Sequence, residues 1–459
     1  MSLVIYSILM EKDMTVGSPL KLLLGFTIPL FLGNLFQQVY SMVDTIVVGR
    51  FVGVDALAAL GSVGGFAFMV VGFSIGLGNG FAVIVSQAFG AKDERLMKKS
   101  FAMSLILSLI IGALISIVFA LFSKILLKLV NTPANILDMA NDYIFVIYIG
   151  LLTNIYYNLF ASILRAVGDS KSPVLFLVIS SILNVILDLA LVLIIPLGCT
   201  GVALATVISQ GISAIICYFY INKKLPILRP EKAHFKLDSH LIVKLLRIGL
   251  PGAIQFSVCA IGVIIVQIAI NSFGSDIVAA YSVGNKIENI VTQFFPALGM
   301  AISTYAAQNL GAGKFDMIKK GFRSGFAIIV SWALISLLLA HTITKPLSYL
   351  FLDASTTDQS IIENAQLYMN TISVFFIPLG MIFLFRTGSQ GLGSGAIPMI
   401  SSITELVLRC IAAFTLPVFM GYRGVCLSSP VAWIGAAVIL PFCYLARMRK
   451  IKKHLMLTP

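Results

Sequence analysis

The chain is 459 residues long; 59% of its residues are hydrophobic, only 11% are charged, and its mean hydropathy is +1.00. Soluble globular domains do not have this composition, so it predicts an integral membrane protein. The net charge of +13 does not require a nucleic-acid partner, because the basic residues cluster in loops that fall on one side of the predicted membrane.

Apolar stretches long enough to cross a hydrocarbon core recur along the whole chain, and each crossing takes about 20 helical residues. Lipid offers backbone groups no water to bond, and stretches of this length are helices rather than barrel strands. The sequence therefore predicts an all-α polytopic fold with twelve transmembrane helices near 19–43, 56–86, 101–123, 143–164, 173–196, 199–221, 248–272, 277–306, 322–343, 366–386, 396–418 and 424–446.

An internal repeat organises these spans. SQAFGAKDERLMKKSF (Ser86–Phe101) matches AQNLGAGKFDMIKKGF (Ala307–Phe322) at a constant shift of 221 positions, and Pro173 falls over Pro398 at a shift of about 225. Parallel repeats of six spans predict two pseudo-symmetric lobes with a cavity between them. The predicted divisions are an N-terminal extension over 1–16, a first lobe over 17–221, a cytoplasmic connection over 222–247, a second lobe over 248–446 and a basic tail over 447–459.

Basic residues set the predicted orientation. The connection 222–247 alone holds seven Lys and Arg, and further clusters lie at 92–99, 314–323 and 447–453. All four fall on the same side when both termini are cytoplasmic, which an even number of spans also requires. The basic tail is also suited to contact anionic membrane lipids.

Ionisable residues within spans are costly, by about 2.5–3.5 kcal/mol on insertion scales, and so mark candidate functional positions. Four acids qualify, together with two bases that we expect to be buried, although one of them, Lys286, has a chain long enough to reach the interface. These six residues are Asp44, Asp188, Glu288, Glu405, Lys286 and Arg409.

The stretch NVILDLALVL places Asn184 one helical turn before Asp188. Asp44 ends a polar stripe that contains Gln37, Tyr40 and Ser41 at helical spacing, and Thr206 lies mid-way along the sixth span. Carboxylate, amide and hydroxyl oxygens are hard ligands that suit an alkali cation, and the carboxylates could instead carry a proton. A purely structural hydrogen bond from a neutral Asp188 is the alternative.

Other polar residues follow helical spacing elsewhere. Glu405 and Arg409 lie one turn apart with the acid first, an order that predicts a largely self-compensating pair with either a structural or a cavity-lining role. A cavity that also has Tyr, Met and Phe around it suits large amphipathic cations. The predicted substrate-cavity residues are Gln37, Tyr40, Asn154, Asn158, Asn285, Asn289, Glu405 and Arg409.

The motif VDTIVVGRFVGVDALAALG (Val43–Gly61), the QAFGAKD turn and the RAVGDSKSP connection (Arg165–Pro173) resemble the multidrug and toxic compound extrusion (MATE) transporters, especially the prokaryotic ones. The resemblance runs from about Gly17 to about Arg449. It implies a cation site on Asp44, Asn184, Asp188 and Thr206, sodium or proton as the coupling ion, no other cofactor, and organic-cation drugs as substrates. It also implies a prokaryotic plasma membrane location. The internal repeat separately predicts that a monomer is sufficient.

One departure favours the DinF-like branch over the NorM-like branch: the seventh and tenth spans lack the acidic residues that NorM-like members carry. A flippase for lipid-linked saccharides is the nearest alternative, since it shares a related architecture, but it should present several cations to the cavity. An enzyme is not expected, because no nucleophile or metal cluster stands out, and the chain has no nucleotide-binding P-loop.

Overall fold

The computed structural model describes residues 13–130, 132–351 and 359–456, and within them the chain is helical, without strands. In these ranges, fifteen α-helices are separated by short turns or by short stretches of π- or 3₁₀-helix. They are α1 (Pro19–Val47), α2 (Val54–Gly90), α3 (Glu94–Leu129), α4 (Ala134–Ile149), α5 (Leu151–Ala166), α6 (Lys171–Leu189), α7 (Gly198–Lys224), α8 (Ser239–Asn271), α9 (Ser275–Thr292), α10 (Phe294–Gly311), α11 (Phe315–Phe351), α12 (Gln359–Ser373), α13 (Phe376–Gly391), α14 (Ala396–Met420) and α15 (Tyr422–Met456).

Among the described residues, ten helical segments are long and apolar enough to cross a membrane alone, and one of these is formed by α9 and α10 together. Two bent pairs, α4 with α5 and α12 with α13, bring the number of spans to twelve if each pair is one span. The pairs bend by 47° and 53°, at Gly150 and Phe375, which match each other in the same register as Pro173 and Pro398. The all-α polytopic fold is therefore confirmed. The fourth and tenth spans are broken helices, which the apolar pattern alone did not predict.

Two predicted loops are more helical than expected. The connection 222–247 contains the end of α7 at Lys224, two short 3₁₀ turns (Pro226–Leu228 and Lys232–Phe235) and the first turns of α8, which begins at Ser239. The basic tail also continues α15 as far as Met456. Helical periodicity does not stop at the membrane surface, so hydropathy places these ends too early.

Asp238 fixes the start of α8. Its carboxylate accepts a hydrogen bond from the Leu241 amide at 3.1 Å. It also forms an ion pair with Lys99 Nζ on α3 at 2.5 Å. The Lys99 bond, helped by the Leu241 amide, holds the pKa of Asp238 below its usual range. Asp238 therefore acts as the N-cap of α8 and ties the connection to the first unit of the protein.

Within the predicted N-terminal extension 1–16, residues 1–12 lie outside the described part of the chain. Thr15 is packed rather than loose: it is 7% exposed, and its carbonyl accepts from Lys314 Nζ at 2.8 Å.

The helices form two compact units. The first comprises Leu32–Ser257 with Gly311–Gly313, and the second comprises Thr15–Phe31, Val258–Leu310 and the chain from Lys314 onward. The division into a first lobe over 17–221 and a second over 248–446 stays a prediction from the internal repeat.

Candidate functional site

The candidate site lies in the first unit, where α1 carries the half-buried Asp44 and α6 carries the buried Asp188. Both helices change geometry just beyond these acids, α1 into a π-helical turn at Val48–Val52 and α6 into another at Ala190–Ile194. The two turns contact each other. A cluster of buried apolar side chains holds them together: Val48, Ala56, Val192, Cys199 and Val202. Such π-helical turns often accompany functional sites.

Asp44 and Asp188 interact electrostatically with each other, and Tyr40 interacts electrostatically with both. An ionised carboxylate only accepts hydrogen bonds, so two of them cannot satisfy each other. Asp44 Oδ1 and both Asp188 oxygens are buried without a donor among the described residues. A proton or a small cation would therefore satisfy the pair.

Asn184 adds further unsatisfied polar atoms close to Asp188. It is 1% exposed and Asp188 is 0% exposed, one turn further along α6. Neither Asn184 Nδ2 nor Asn184 Oδ1 has a hydrogen-bond partner in the described structure. Leaving a buried polar group unsatisfied costs about 1–3 kcal/mol, so several such atoms at one place indicate a binding position rather than ordinary packing.

The donor set indicates the kind of ion. No group of three His, Cys, Asp or Glu side chains comes together anywhere in the described ranges, so an ordinary transition-metal cluster is not formed there. Two carboxylates with an amide oxygen are hard ligands that fit an alkali cation, and the same carboxylates can take a proton. The residues present thus fit either coupling ion that the sequence predicts.

The structure brings three of the four predicted coupling residues together. Thr206 on α7 donates its hydroxyl to the Val202 carbonyl of its own helix at 3.1 Å, which leaves its oxygen lone pairs available. Its place in an ion site stays a prediction. Tyr143 on α4, which the sequence did not single out, interacts electrostatically with both carboxylates. Tyr143 is far from Asp44 and Asp188 along the chain, so no sequence pattern indicated that it lies near them.

The predicted cavity residues of the first unit divide into two groups. Gln37 is exposed, whereas Tyr40 is half-buried beside Asp44. Asn154 donates to Gln210 Oε1 at 3.0 Å, and Asn158 donates to Asn154 Oδ1 at 3.2 Å. These amides form a network between α5 and α7.

An apolar cavity of about 170 Å³ also lies in the first unit. Helices α2, α3, α5 and α8 contribute its lining, which is almost entirely hydrophobic and includes two aromatic rings and one methionine. Such a space suits the hydrophobic part of an amphipathic molecule. Its lining residues are Met69, Val70, Phe73, Ile115, Phe119, Leu151, Ile254 and Ser257.

In the second unit, α9 carries a polar stripe. Glu288 accepts from the Tyr368 hydroxyl of α12 at 2.5 Å and from Asn285 Nδ2 at 3.5 Å. Asn289 is exposed and donates to Asn285 Oδ1 at 3.0 Å. Lys286 is exposed, so its expected burial is wrong, and its long chain explains why it is tolerated.

The expected self-compensating pair of Glu405 and Arg409 is wrong in one respect. The nearer partner of Glu405 is Arg386, whose Nη1 lies 2.7 Å from Glu405 Oε1, whereas Arg409 Nη2 lies 3.8 Å from Glu405 Oε2. All three side chains are buried. Sequence reasoning missed Arg386 because it lies near a predicted span end, where an arginine usually reaches the interface.

These features define a class: a polytopic helical membrane protein with an internal repeat and a pair of carboxyl groups inside its spans has the features of a membrane transport protein. The MatE family model matches residues 29–190 and again 251–415, one segment in each half of the chain. The chain therefore belongs to the MATE family of transporters.

Individual proteins agree with this assignment. The probable multidrug resistance protein YoeA of Bacillus subtilis strain 168 is 32% identical over 339 residues, which are 72% of this chain and 73% of YoeA. YpnP of the same strain, another probable multidrug resistance protein, is 32% identical over 66% of this chain and 67% of its own. An outward-facing MATE transporter structure superposes with a TM-score of 0.89 at 22% identity, covering 96% of this chain and 99% of the other.

Proposed function

We propose that this protein is a secondary active multidrug efflux antiporter, which exports amphipathic organic cations in exchange for Na⁺ or H⁺. One observation carries the proposal: Asp44, Asn184 and Asp188 bring buried oxygens together without enough protein donors to satisfy them. A site of this kind is stable only when a small cation is on it. Its occupancy therefore affects the stability of the conformation around it.

The coupling follows from charge. When the site holds its ion, the repulsion between Asp44 and Asp188 is screened and their helices can pack closely. When the ion leaves, two carboxylates at low dielectric repel each other and favour a different arrangement of α1 and α6. Pro29 lies inside α1 and removes one backbone hydrogen bond, which lets that helix bend at low cost.

The transport cycle uses this difference in the usual way for a repeated fold. The outward-facing state takes up Na⁺ or H⁺ at the coupling site and releases the drug. The lobes then rock to the inward-facing state, the ion leaves to the cytoplasm, and the next drug molecule binds. The apolar cavity of the first unit and the amide network of Asn154 and Asn158 supply hydrophobic and hydrogen-bonding contacts for varied drugs.

The names of the curated relatives support a multidrug cargo, since YoeA and YpnP are both described as probable multidrug resistance proteins. A lipid-linked saccharide flippase is less favoured. The pyrophosphate of such a substrate carries several negative charges and needs several unpaired cations, whereas Arg386 is paired with Glu405 and leaves Arg409 as a single guanidinium without a close hydrogen-bond acceptor among the described residues.

The proposed setting is the plasma membrane of a prokaryote, with both termini in the cytoplasm and the basic loops on the same side. A monomer is sufficient, because the internal repeat supplies both halves of the machine.

The direct test uses purified protein in liposomes loaded with a fluorescent organic cation. An imposed Na⁺ gradient or pH gradient should drive dye movement against its own gradient, and the gradient that works identifies the coupling ion. Dye movement that needs ATP, or that ignores both gradients, would overturn the proposal.

A further inference from the structure

The second unit contains a buried cluster that the cation mechanism does not use. Arg386 is 6% exposed and Arg409 is 9% exposed, and the only carboxylate within ion-pair distance of either is Glu405, as far as the described residues show. Two guanidinium groups therefore share one acid in direct contact. A buried charge without a close partner is costly, so this excess needs a physical reason.

Among the described residues, the two guanidinium groups also lack acceptors for some of their N–H donors. The Nε atoms of Arg386 and Arg409 are both buried without an acceptor in the described part of the structure. Arg409 donates no hydrogen bond there at all, although a guanidinium carries five donors. Its contact with Glu405, at 3.8 Å, is an ion pair that is too long for a hydrogen bond.

The surroundings hold other groups that bear on the charge. Glu288 interacts electrostatically with Arg409 but bonds to Tyr368 rather than to the arginine. Ser402 Oγ lies 3.5 Å from Arg386 Nη1, and Ser401 bonds to Glu405. The nearby acids thus accept their hydrogen bonds from residues other than Arg409, and the N–H groups of Arg409 remain available to a ligand.

The internal repeat relates this cluster to the candidate site of the first half. In the register that places Pro173 over Pro398, Asn184 corresponds to Arg409 and Asp188 to Ala413. One half therefore has acceptors where the other half has a cation. Gly262 on α8 makes room for that cation, because a Cβ there would lie 2.8 Å from Arg409 Nη1.

From this geometry we infer that Arg409, supported by Arg386, forms an anion-binding subsite. The subsite binds the carboxylate or other anionic group of a zwitterionic substrate. This inference rests on the proposed efflux function and narrows its substrate class: the protein exports amphiphiles that carry an anionic group as well as a cation. The planar guanidinium can hold a carboxylate through two parallel hydrogen bonds.

A matched pair of dyes tests the subsite: a zwitterionic rhodamine with a free carboxylate, and its methyl ester. Equilibrium binding to the purified full-length protein gives the ratio of acid to ester affinity for each variant. Arg409→Gln should lower that ratio about tenfold, the usual value of a charge-assisted hydrogen bond, and Arg409→Lys should lower it less. A variant that folds poorly weakens both dyes together, so the ratio still reports the subsite.

Two further results separate this inference from the proposed function. Glu405→Gln removes the acid that competes for Arg409 and should raise the ratio, whereas a lower ratio would count against the subsite. An Arg409→Gln ratio within twofold of wild type would overturn the subsite while gradient-driven ester efflux still supported the antiporter. If the wild-type protein showed no gradient-driven efflux of the ester, the proposed antiporter function would be overturned instead.

Discussion

Arg386 and Glu405 form a buried ion pair between α13 and α14, with Arg386 Nη1 2.7 Å from Glu405 Oε1. Because both side chains are shielded from solvent, neither charge can be left alone cheaply. The pair joins the second half of the bent tenth span to the eleventh span, and it holds the carboxylate that also faces Arg409.

Replacing Arg386 with methionine should destabilise the protein by about 3 kcal/mol or more, because it removes the closest partner of a buried carboxylate. Arg386→Lys keeps the charge and should cost less. Thermal unfolding in detergent ranks the two variants. Arg423→Met, at an exposed position, is the control and should change stability little. An Arg386→Met protein as stable as wild type would contradict this role.

Asn184→Leu should uncouple stability from transport. Both amide atoms are buried without partners, so an apolar side chain of similar size should leave the melting temperature unchanged or raise it. The same variant should lose ion-driven transport because an oxygen ligand is gone. The melting temperature and the liposome assay measure the two effects. A marked fall in the melting temperature would show that Asn184 is a structural residue.

The bend at Gly150 gives a packing prediction. A Cβ at this position would fall on the side chain of Val207, so Gly150→Ala should destabilise the first unit by about 1–3 kcal/mol. Adding Val207→Ala should recover part of the loss. Gly61 on α2 has open space around it, and Gly61→Ala should be neutral or stabilising by up to about 1 kcal/mol. Equal effects at the two glycines would contradict the packing.

Asp238 predicts a pH dependence outside the membrane. Its pKa is below the unfolded value of about 3.9, so its contribution is full above that pH and is lost as the pH falls through the folded value. Asp238→Asn should therefore lower the melting temperature at neutral pH, and the difference from wild type should shrink in acid. Asp316→Asn, whose partner Lys319 is 3.7 Å away, is the exposed control. A difference independent of pH would contradict the ion-pair account.

Hydropathy and the internal repeat were sufficient for the helical fold, because spans depend on long averages of side-chain transfer energy. They could not place the bends, since each helix is interrupted over only one or two residues, Gly150 in one case and Val374 with Phe375 in the other, whose conformation depends on packing.

The site was predictable to a similar extent. Asp44 and Asp188 stood out because acids are rare in apolar spans, and the family resemblance joined them. The neighbours Tyr143 and Arg386 did not stand out, because only tertiary structure brings them to the acids.

The central claim is that a cation must neutralise the Asp44 and Asp188 pair during each transport cycle. Its most direct test is gradient-driven dye transport in liposomes by wild type, Asp44→Asn and Asp188→Asn, with Asp138→Asn as a control because its carboxylate is exposed and paired with Lys124. The account predicts that both site variants lose gradient-driven transport while the control retains it. Undiminished gradient-driven transport by both site variants would contradict it.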